Sequence, residues 1–349
     1  MPIYLVFFIA FIISFATVPL LISLSNNSGA IAIPGKRHVH SHPTPKLGGI
    51  AIALGVLIIT PSLLHFVSPS LLHSNRVIES YFLSSVLILI VGIIDDIWGA
   101  TWKIKMVFSG IAISIIIFGG GIYIENLGNL LGFGEIHLGL WGIPFTYFAV
   151  FGVVNAVNLI DGLNGLACGI SSIAFLSFAV FAAISGNETA LYLSLANLGA
   201  TLGLFKYNYP KAKIFMGDSG SLFLGFSLAI LAIILTQGET ATINPMVPVA
   251  ILGIPIFDTL RVLSIRILNK KNPFAPDKAH LHHLMVRSGL PPGRVVKIIW
   301  MLSALMSMIA FVLYNNDAWV MLLIFCIVVA AIGMFIENLR IIRAKAMRK

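Results

Sequence analysis

Eleven stretches of this chain read as candidates to cross a bilayer, and that pattern limits the fold more than any other feature. A helical span needs roughly 20 mainly apolar residues. Candidates lie at about 3–24, 46–66, 78–95, 104–124, 142–160, 163–185, 189–206, 217–236, 246–265, 295–314 and 318–338. They take up most of the 349 residues, so the expectation is one polytopic all-α membrane domain over 1–349 with no separate soluble one. Only 10% of the residues are charged, where a soluble domain carries about a quarter. The first stretch has no basic residue before it and no small-residue cleavage site after it, so it reads as a retained helix, with a cleaved signal peptide as the weaker alternative.

Charge sets the orientation. With the N-terminus outside, Lys36, Arg37, Lys46, Lys103, Lys105, Lys206, Lys211, Lys213, the basic residues from Arg261 to Lys297 and the basic tail all fall inside. Only Arg76 of the 22 Lys and Arg then lies outside, and the C-terminus is cytoplasmic. The net charge of +9 is therefore mainly topological and does not call for nucleic acid. The two cysteines, Cys168 and Cys326, fall in apolar spans and read as buried thiols rather than a disulfide framework.

The outer loops show no chemical spacing. "GNLLGFGEIHLGLWG" has the Gly alternation of a small hairpin, and His137 within it reads as a surface residue. The inner loops, at about 25–45, 95–104, 158–163, 206–218 and 266–294, are different. They carry "PGKRHVHSHPTPKLGG", "DDIWGATWKIK", "NAVNLIDGLNGL", "NYPKAKIFMGDSGS" and "RILNKKNPFAPDKAHLHH". Taken singly, each has a plain reading. Asp95 and Asp96 could be a hydrated helix end, Asp218 or Ser219 a helix N-cap, and His40 and His42 a solvated loop. The free N–H groups of a helix opening at "GDSGS" would also suit phosphate. Three histidines in four residues, His280, His282 and His283, are harder to dismiss, although no cysteine or second cluster completes a zinc site.

Together these loops bring acids, amides, histidines and lysines to one face, which makes an active site plausible. Mg²⁺ prefers oxygen ligands and commonly bridges substrate phosphates through one or two carboxylates. Cationic side chains supply donors to phosphate oxygens. Phosphoryl transfer uses this combination, and an interfacial site favours a lipid acceptor. Asn158 and Asp161, three apart, share a face at a helix end, while Gly162 and Gly165 permit a break between two spans. Lys270, Lys271, Lys278, Arg287 and Arg294 in the last inner loop can meet nucleotide phosphates or anionic lipid headgroups.

In order along nearly the whole chain, "DD…K", "NxxNxxDGxNGL", "FMGDSGS" and "HxHH" resemble the motifs of the polyprenyl-phosphate N-acetylhexosamine-1-phosphate transferases, in glycosyltransferase family 4. "HLHH", where the peptidoglycan branch has three consecutive histidines, is similar to the WecA/TagO-like branch. The resemblance implies a bacterial plasma-membrane enzyme with its site on the cytoplasmic face. It implies that undecaprenyl phosphate attacks the β-phosphorus of a UDP-N-acetylhexosamine, most simply UDP-GlcNAc, releasing UMP with Mg²⁺ as cofactor and Mn²⁺ as a substitute ion. It assigns Asn158 and Asp218, with Asp161 close by, to the metal, and Asp95 and Asp96 to activation of the lipid phosphate. Lys105, His280, His282 and His283 fall to the phosphates, and Asn164, Asn208 and Phe215 to the nucleotide. Asn164 departs from relatives with a second aspartate there, and an amide can still donate and accept.

The same motifs admit other readings. The peptidoglycan branch, or a relative using another UDP-sugar, is the nearest. A transporter would place charge at the bilayer midplane on repeated halves, whereas these acids gather at one face and no internal repeat is visible. Asp258 with Arg261 is the nearest thing to an intramembrane ion pair. A non-catalytic scaffold would usually have lost some of these polar groups. Oligomeric state leaves no mark in the sequence.

Overall fold

The computed structural model describes residues 2–33, 43–62, 72–238, 242–270 and 279–346. It is nearly all helical, as the apolar runs require: lipid offers backbone groups no partner, so they must be satisfied within each segment. The helices are α1 (Ile3–Ser28), α2 (Gly48–Leu57), α3 (Leu72–Trp98), α4 (Trp102–Ser114), α5 (Gly142–Ile160), α6 (Leu166–Ser185) and α7 (Glu188–Asn208). They continue as α8 (Gly217–Thr236), α9 (Met246–Ile251), α10 (Gly253–Leu268), α11 (Leu281–Arg287), α12 (Pro292–Leu313) and α13 (Ala318–Ala346). Among the described residues two short strands are the exception: β1 (Ile31–Ala32) pairs antiparallel with β2 (Thr44–Pro45), Ile31 opposite Pro45.

Eight helices among the described residues are long and apolar enough to cross a membrane, so this is a multi-pass membrane protein. Helices also stand at the three other expected spans. The stretch 46–66 holds a shorter apolar helix, Gly48–Ser62. That at 189–206 is α7, whose hydropathy is lowered by Ser194, Asn197 and Thr201, all buried against protein. That at 246–265 is broken between α9 and α10 at Leu252, where Pro248 and Pro255 cannot donate to the helical ladder.

The core is built around α8, which is buried almost all round from Ser219 to Leu235. Its neighbours approach through small residues. A Cβ on Gly49 of α2 would fall 2.0 Å from Gly220 N, and one on Gly92 of α3 2.4 Å from Ser219 Cα. Such contacts let helices associate where apolar burial gives no net drive. Midway along, Tyr81 Oη and Ser227 Oγ stand 2.8 Å apart, and Asn197 Nδ2 donates to Tyr81 Oη at 3.0 Å, joining α3, α7 and α8.

At one end of the bundle, Gln237 Oε1 accepts from the N–H groups of Glu125 and Asn126, and Asn129 O accepts from Trp319 N–H. The segment read as a hairpin folds back here with an Asn126–His137 bridge and backbone bonds from Leu127 to Ile136 and Leu138 to Glu125. His137 lies on the surface as expected, 3.3 Å from Glu135. Cys168 is buried, but Cys326 is exposed on α13, which corrects the expectation that both thiols are buried: α13 lies at the edge of the bundle and turns that face outward.

Candidate active site

The opposite end of the bundle gathers the polar motifs. A cavity of about 520 Å³ opens there, lined by Asp95 and Asp96 from the end of α3, Asn158 and Asp161 from the end of α5, and Asp218 from the start of α8. Asn164, Asn208, Phe215, His283 and Lys46 complete its polar and aromatic wall. Residues far apart in sequence meet here because each follows or precedes a span, so the alternation of the bundle delivers them to one face. His40, His42, Lys36, Arg37, Lys271 and Lys278 lie outside the described residues.

Asp218 is the hub. Its Oδ2 accepts from Lys105 Nζ at 2.7 Å and its Oδ1 from Asn158 Nδ2 at 3.2 Å. Asn158 Nδ2 also donates to Ser221 Oγ at 2.8 Å. Lys105 reaches Asp95 Oδ2 at 2.9 Å, and Asp95 Oδ1 accepts from Ala100 N–H at 2.5 Å. One ammonium thus bridges two carboxylates from different helices.

The two adjacent aspartates are not equivalent. Asp96 is buried and its Oδ1 and Oδ2 accept from the N–H groups of Asp218 and Ser219, both at 2.9 Å. The first N–H groups of a helix have no intrahelical partner, and Met216 gives α8 no side-chain cap. Asp96 supplies that cap from the end of α3. The N-cap is therefore neither Asp218 nor Ser219, and those two N–H groups are not free for phosphate. Gly217 makes this possible with φ +71°; a Cβ on it would fall 2.2 Å from Lys46 O and 2.5 Å from Asp96 Oδ2.

The break after α5 presents Asp161, which follows the last helical residue. Burial pushes its carboxyl up to about 7, and the charges of Asp218 and Asp96 push the same way. Gly165 takes a left-handed φ of +73° to open α6, and a Cβ there would meet Tyr209 at 2.7 Å. Asn208 holds this turn: its Oδ1 accepts from Gly165 N–H at 2.8 Å and its Nδ2 donates to Ile214 O at 2.9 Å. Asn164 Nδ2 donates to Pro210 O at 3.3 Å. These amides tie the 161–165 and 208–214 segments together at the cavity edge. Phe215 is held between Pro45 O, which accepts its N–H at 2.7 Å, and Gly48 N–H, which donates to its carbonyl at 3.0 Å.

The histidines separate. His283 lines the cavity. His280 is buried and its Nδ1 lies 2.9 Å from Asp258 Oδ2. Asp258 Oδ1 also accepts from Arg261 Nη2 and from Leu281 N–H, both at 2.8 Å, and Arg261 Nη2 donates to Ala279 O. Asp258 thereby anchors the histidine segment instead of lining a channel through the bundle. His282 is buried against Gly162, where a Cβ would fall 2.2 Å from its Nε2. Burial, then the charge of His283, drops its imidazolium to about 3, so the ring stays neutral. Gly162 thus makes room for a histidine rather than for a ligand.

Among the described residues no group of three His, Cys, Asp or Glu converges into a closed metal shell. The donors do suit a partly hydrated Mg²⁺, which needs only one or two carboxylates besides substrate phosphate. Asp218, Asp161 and Asn158 put hard oxygen atoms on one wall, and Asn158 turns its amide N–H toward Asp218, leaving its Oδ1 as an acceptor.

Sequence reasoning missed Lys46, Ser221, Tyr209 and the Pro292–Gly293 start of α12 as parts of this site. The signal for Lys46 was its place between "PTP" and "LGG", a stiff, small-residue re-entry into the bundle.

Fold and cavity together define a polytopic membrane protein with a carboxylate-rich site at one end of its bundle. The profile of glycosyl transferase family 4 matches residues 78–236, which hold every cavity carboxylate. The chain is 34% identical to the probable undecaprenyl-phosphate N-acetylglucosaminyl 1-phosphate transferase of Bacillus subtilis (strain 168), over 97% of this chain and 93% of the relative. It is 31% identical to the undecaprenyl-phosphate alpha-N-acetylglucosaminyl 1-phosphate transferase of Haemophilus influenzae, over 90% and 88%. The protein of that name in Escherichia coli (strain K12) is 27% identical over 89% and 84%. This chain belongs to glycosyl transferase family 4.

Proposed function

We propose that this protein transfers N-acetylglucosamine 1-phosphate from UDP-GlcNAc to undecaprenyl phosphate and releases UMP. The observation that carries the reading is one cavity walled by Asp95, Asp96, Asn158, Asp161 and Asp218, in a chain that matches whole relatives named for this transfer. Those names favour it over the peptidoglycan branch and over transport.

An oxygen of the lipid phosphate attacks the β-phosphorus of the donor. A new P–O–P bond forms, the bond from the β-phosphorus to the bridging oxygen breaks, and UMP leaves with that oxygen. Asp95 is the better placed of the pair to act on the lipid phosphate: it is the less buried of the two, and Asp96 is buried with both oxygens capping α8. Lys105 holds Asp95 and Asp218 in register. Asp218, Asp161 and Asn158 would hold Mg²⁺, or Mn²⁺ in its place; the ion would supply charge neutralisation at the phosphates. His283 faces the diphosphate, with His280 and His282 fixing its segment. Phe215, Asn164 and Asn208 shape the nucleotide end.

In this reading the chain has eleven spans, an outside N-terminus and a cytoplasmic C-terminus in the bacterial plasma membrane, with the cavity on the cytoplasmic face. The skew of 21 of the 22 Lys and Arg to one side supports that orientation. The test is the purified protein in detergent with Mg²⁺, undecaprenyl phosphate and a panel of UDP-sugars. UMP release with UDP-GlcNAc is expected; UDP release would refute phosphosugar transfer.

A further inference from the structure

The cavity is short of positive charge. Asp95, Asp96, Asp161 and Asp218 line it, and the one Lys or Arg on its wall among the described residues is Lys46. Lys105 is not on that wall, and its ammonium is already matched by Asp95 at 2.9 Å and Asp218 at 2.7 Å. Any anion entering this space meets carboxylates unless a cation stands ahead of them. A compact ammonium is suited to a phosphate oxygen as a point charge.

Lys46 is also placed rigidly. It follows β2, and its N–H donates to Ala30 O at 3.0 Å. On either side of it, Pro45 O accepts from Phe215 N–H at 2.7 Å and Gly49 N–H donates to Met216 O at 2.7 Å. Its own carbonyl packs on Gly217, one residue before Asp218. The hairpin end and the opening of α8 thus form one unit, and the half-buried Lys46 side chain has no ion-pair partner among the described residues.

We propose that Lys46 is a substrate-contacting cation whose ammonium binds a phosphate oxygen in the cavity. The proposal rests on the phosphosugar-transfer reading, which supplies two phosphate sources, the donor diphosphate and the lipid phosphate.

The test compares full-length wild type, Lys46→Met and Lys46→Arg in detergent. Lys46→Met should lower kcat/KM for at least one substrate by tenfold or more, about 1.4 kcal/mol, with an unchanged melting temperature. Lys46→Arg should recover most of that loss. A raised KM for the UDP-sugar alone puts Lys46 on the diphosphate, and one for undecaprenyl phosphate alone puts it on the lipid phosphate. Unchanged kinetics for both substrates would overturn the proposal, as would a loss that tracks a lower melting temperature and is not rescued by arginine. Calorimetric binding of inorganic diphosphate in the presence of Mg²⁺ separates the two claims. If wild type turns over no UDP-sugar, the reading fails; Lys46 then stands only if Lys46→Met binds diphosphate at least tenfold more weakly.

Discussion

Asp258 and His280 stand 2.9 Å apart, Oδ2 to Nδ1, with both side chains buried where α10 meets the histidine segment. Asp258 receives two further hydrogen bonds, from Arg261 and from Leu281 N–H, so a single carboxylate fixes where α11 begins. His283 can face the cavity only because that start is fixed.

Replacing Asp258 by Ala leaves Arg261 and His280 without their shared acceptor. Breaking a buried, paired charge costs about 3–5 kcal/mol. The expected result is a lower melting temperature in detergent and UMP release reduced by more than tenfold. Asp258→Glu, which keeps the charge, should retain more activity than Asp258→Asn. A wild-type rate in Asp258→Ala would remove the anchoring role.

Asp95 and Asp96 should separate when each is changed to Asn. Asn at 96 offers one carbonyl oxygen where two N–H groups now bond, and its NH₂ would face a donor. An unsatisfied buried donor costs about 1–3 kcal/mol, so Asp96→Asn should lower stability as well as turnover. Asp95 also accepts two hydrogen bonds, but it is only half-buried and its partner Lys105 keeps Asp218, so Asp95→Asn should lower turnover with a smaller effect on melting than Asp96→Asn. Equal small losses from both would contradict the division of roles.

Much of this site was legible in the sequence. Asp95, Asp96, Asn158, Asp161 and Asp218 end or begin apolar spans, and span alternation alone assigns them to one face. What the sequence could not show is which atoms are already occupied. Asp96 looks like Asp95 in a string of letters, yet one caps α8 and the other pairs with a lysine. The three histidines likewise share a motif but divide among an anchor, a packed ring and a cavity wall. Such distinctions depend on long-range contacts, as between Gly162 and His282, that no local pattern encodes.

Metal binding should couple to a proton at Asp161. Its carboxyl, raised to about 7 by burial and by Asp218 and Asp96, is largely protonated below that pH in the metal-free protein. Ligation needs the anion, so Mg²⁺ should bind more tightly as pH rises from about 6 to 8, releasing a proton. For the metal-free protein the sign is opposite. A folded-state value above the ordinary carboxylate one favours folding at low pH, and that contribution fades as pH climbs toward 7. Thermal melts in EDTA from about pH 4 to 8, and in Mg²⁺ from about pH 6 to 8, check both, with Asp161→Asn as the control that should flatten them. A Mg²⁺ shift independent of pH, in wild type as in the variant, would take Asp161 out of the metal shell.

Gly162 and His282 offer a test of packing that does not depend on turnover. Gly162 does not have a positive φ, so alanine is acceptable to its backbone, and the nearest obstacle is the His282 ring 2.2 Å from the new Cβ. The ring is buried and packed within 4.2 Å of the His283 ring, centroid to centroid, so it has little freedom to yield. Overpacking of this kind costs about 1–3 kcal/mol. Gly162→Ala should therefore lower the melting temperature clearly. In a His282→Ala background the same change should cost far less, because the obstructing ring is gone. The two substitutions would then show a coupling energy of about 0.5–3 kcal/mol, the range for residues in contact. Strict additivity would mean that the ring does not rest on Gly162.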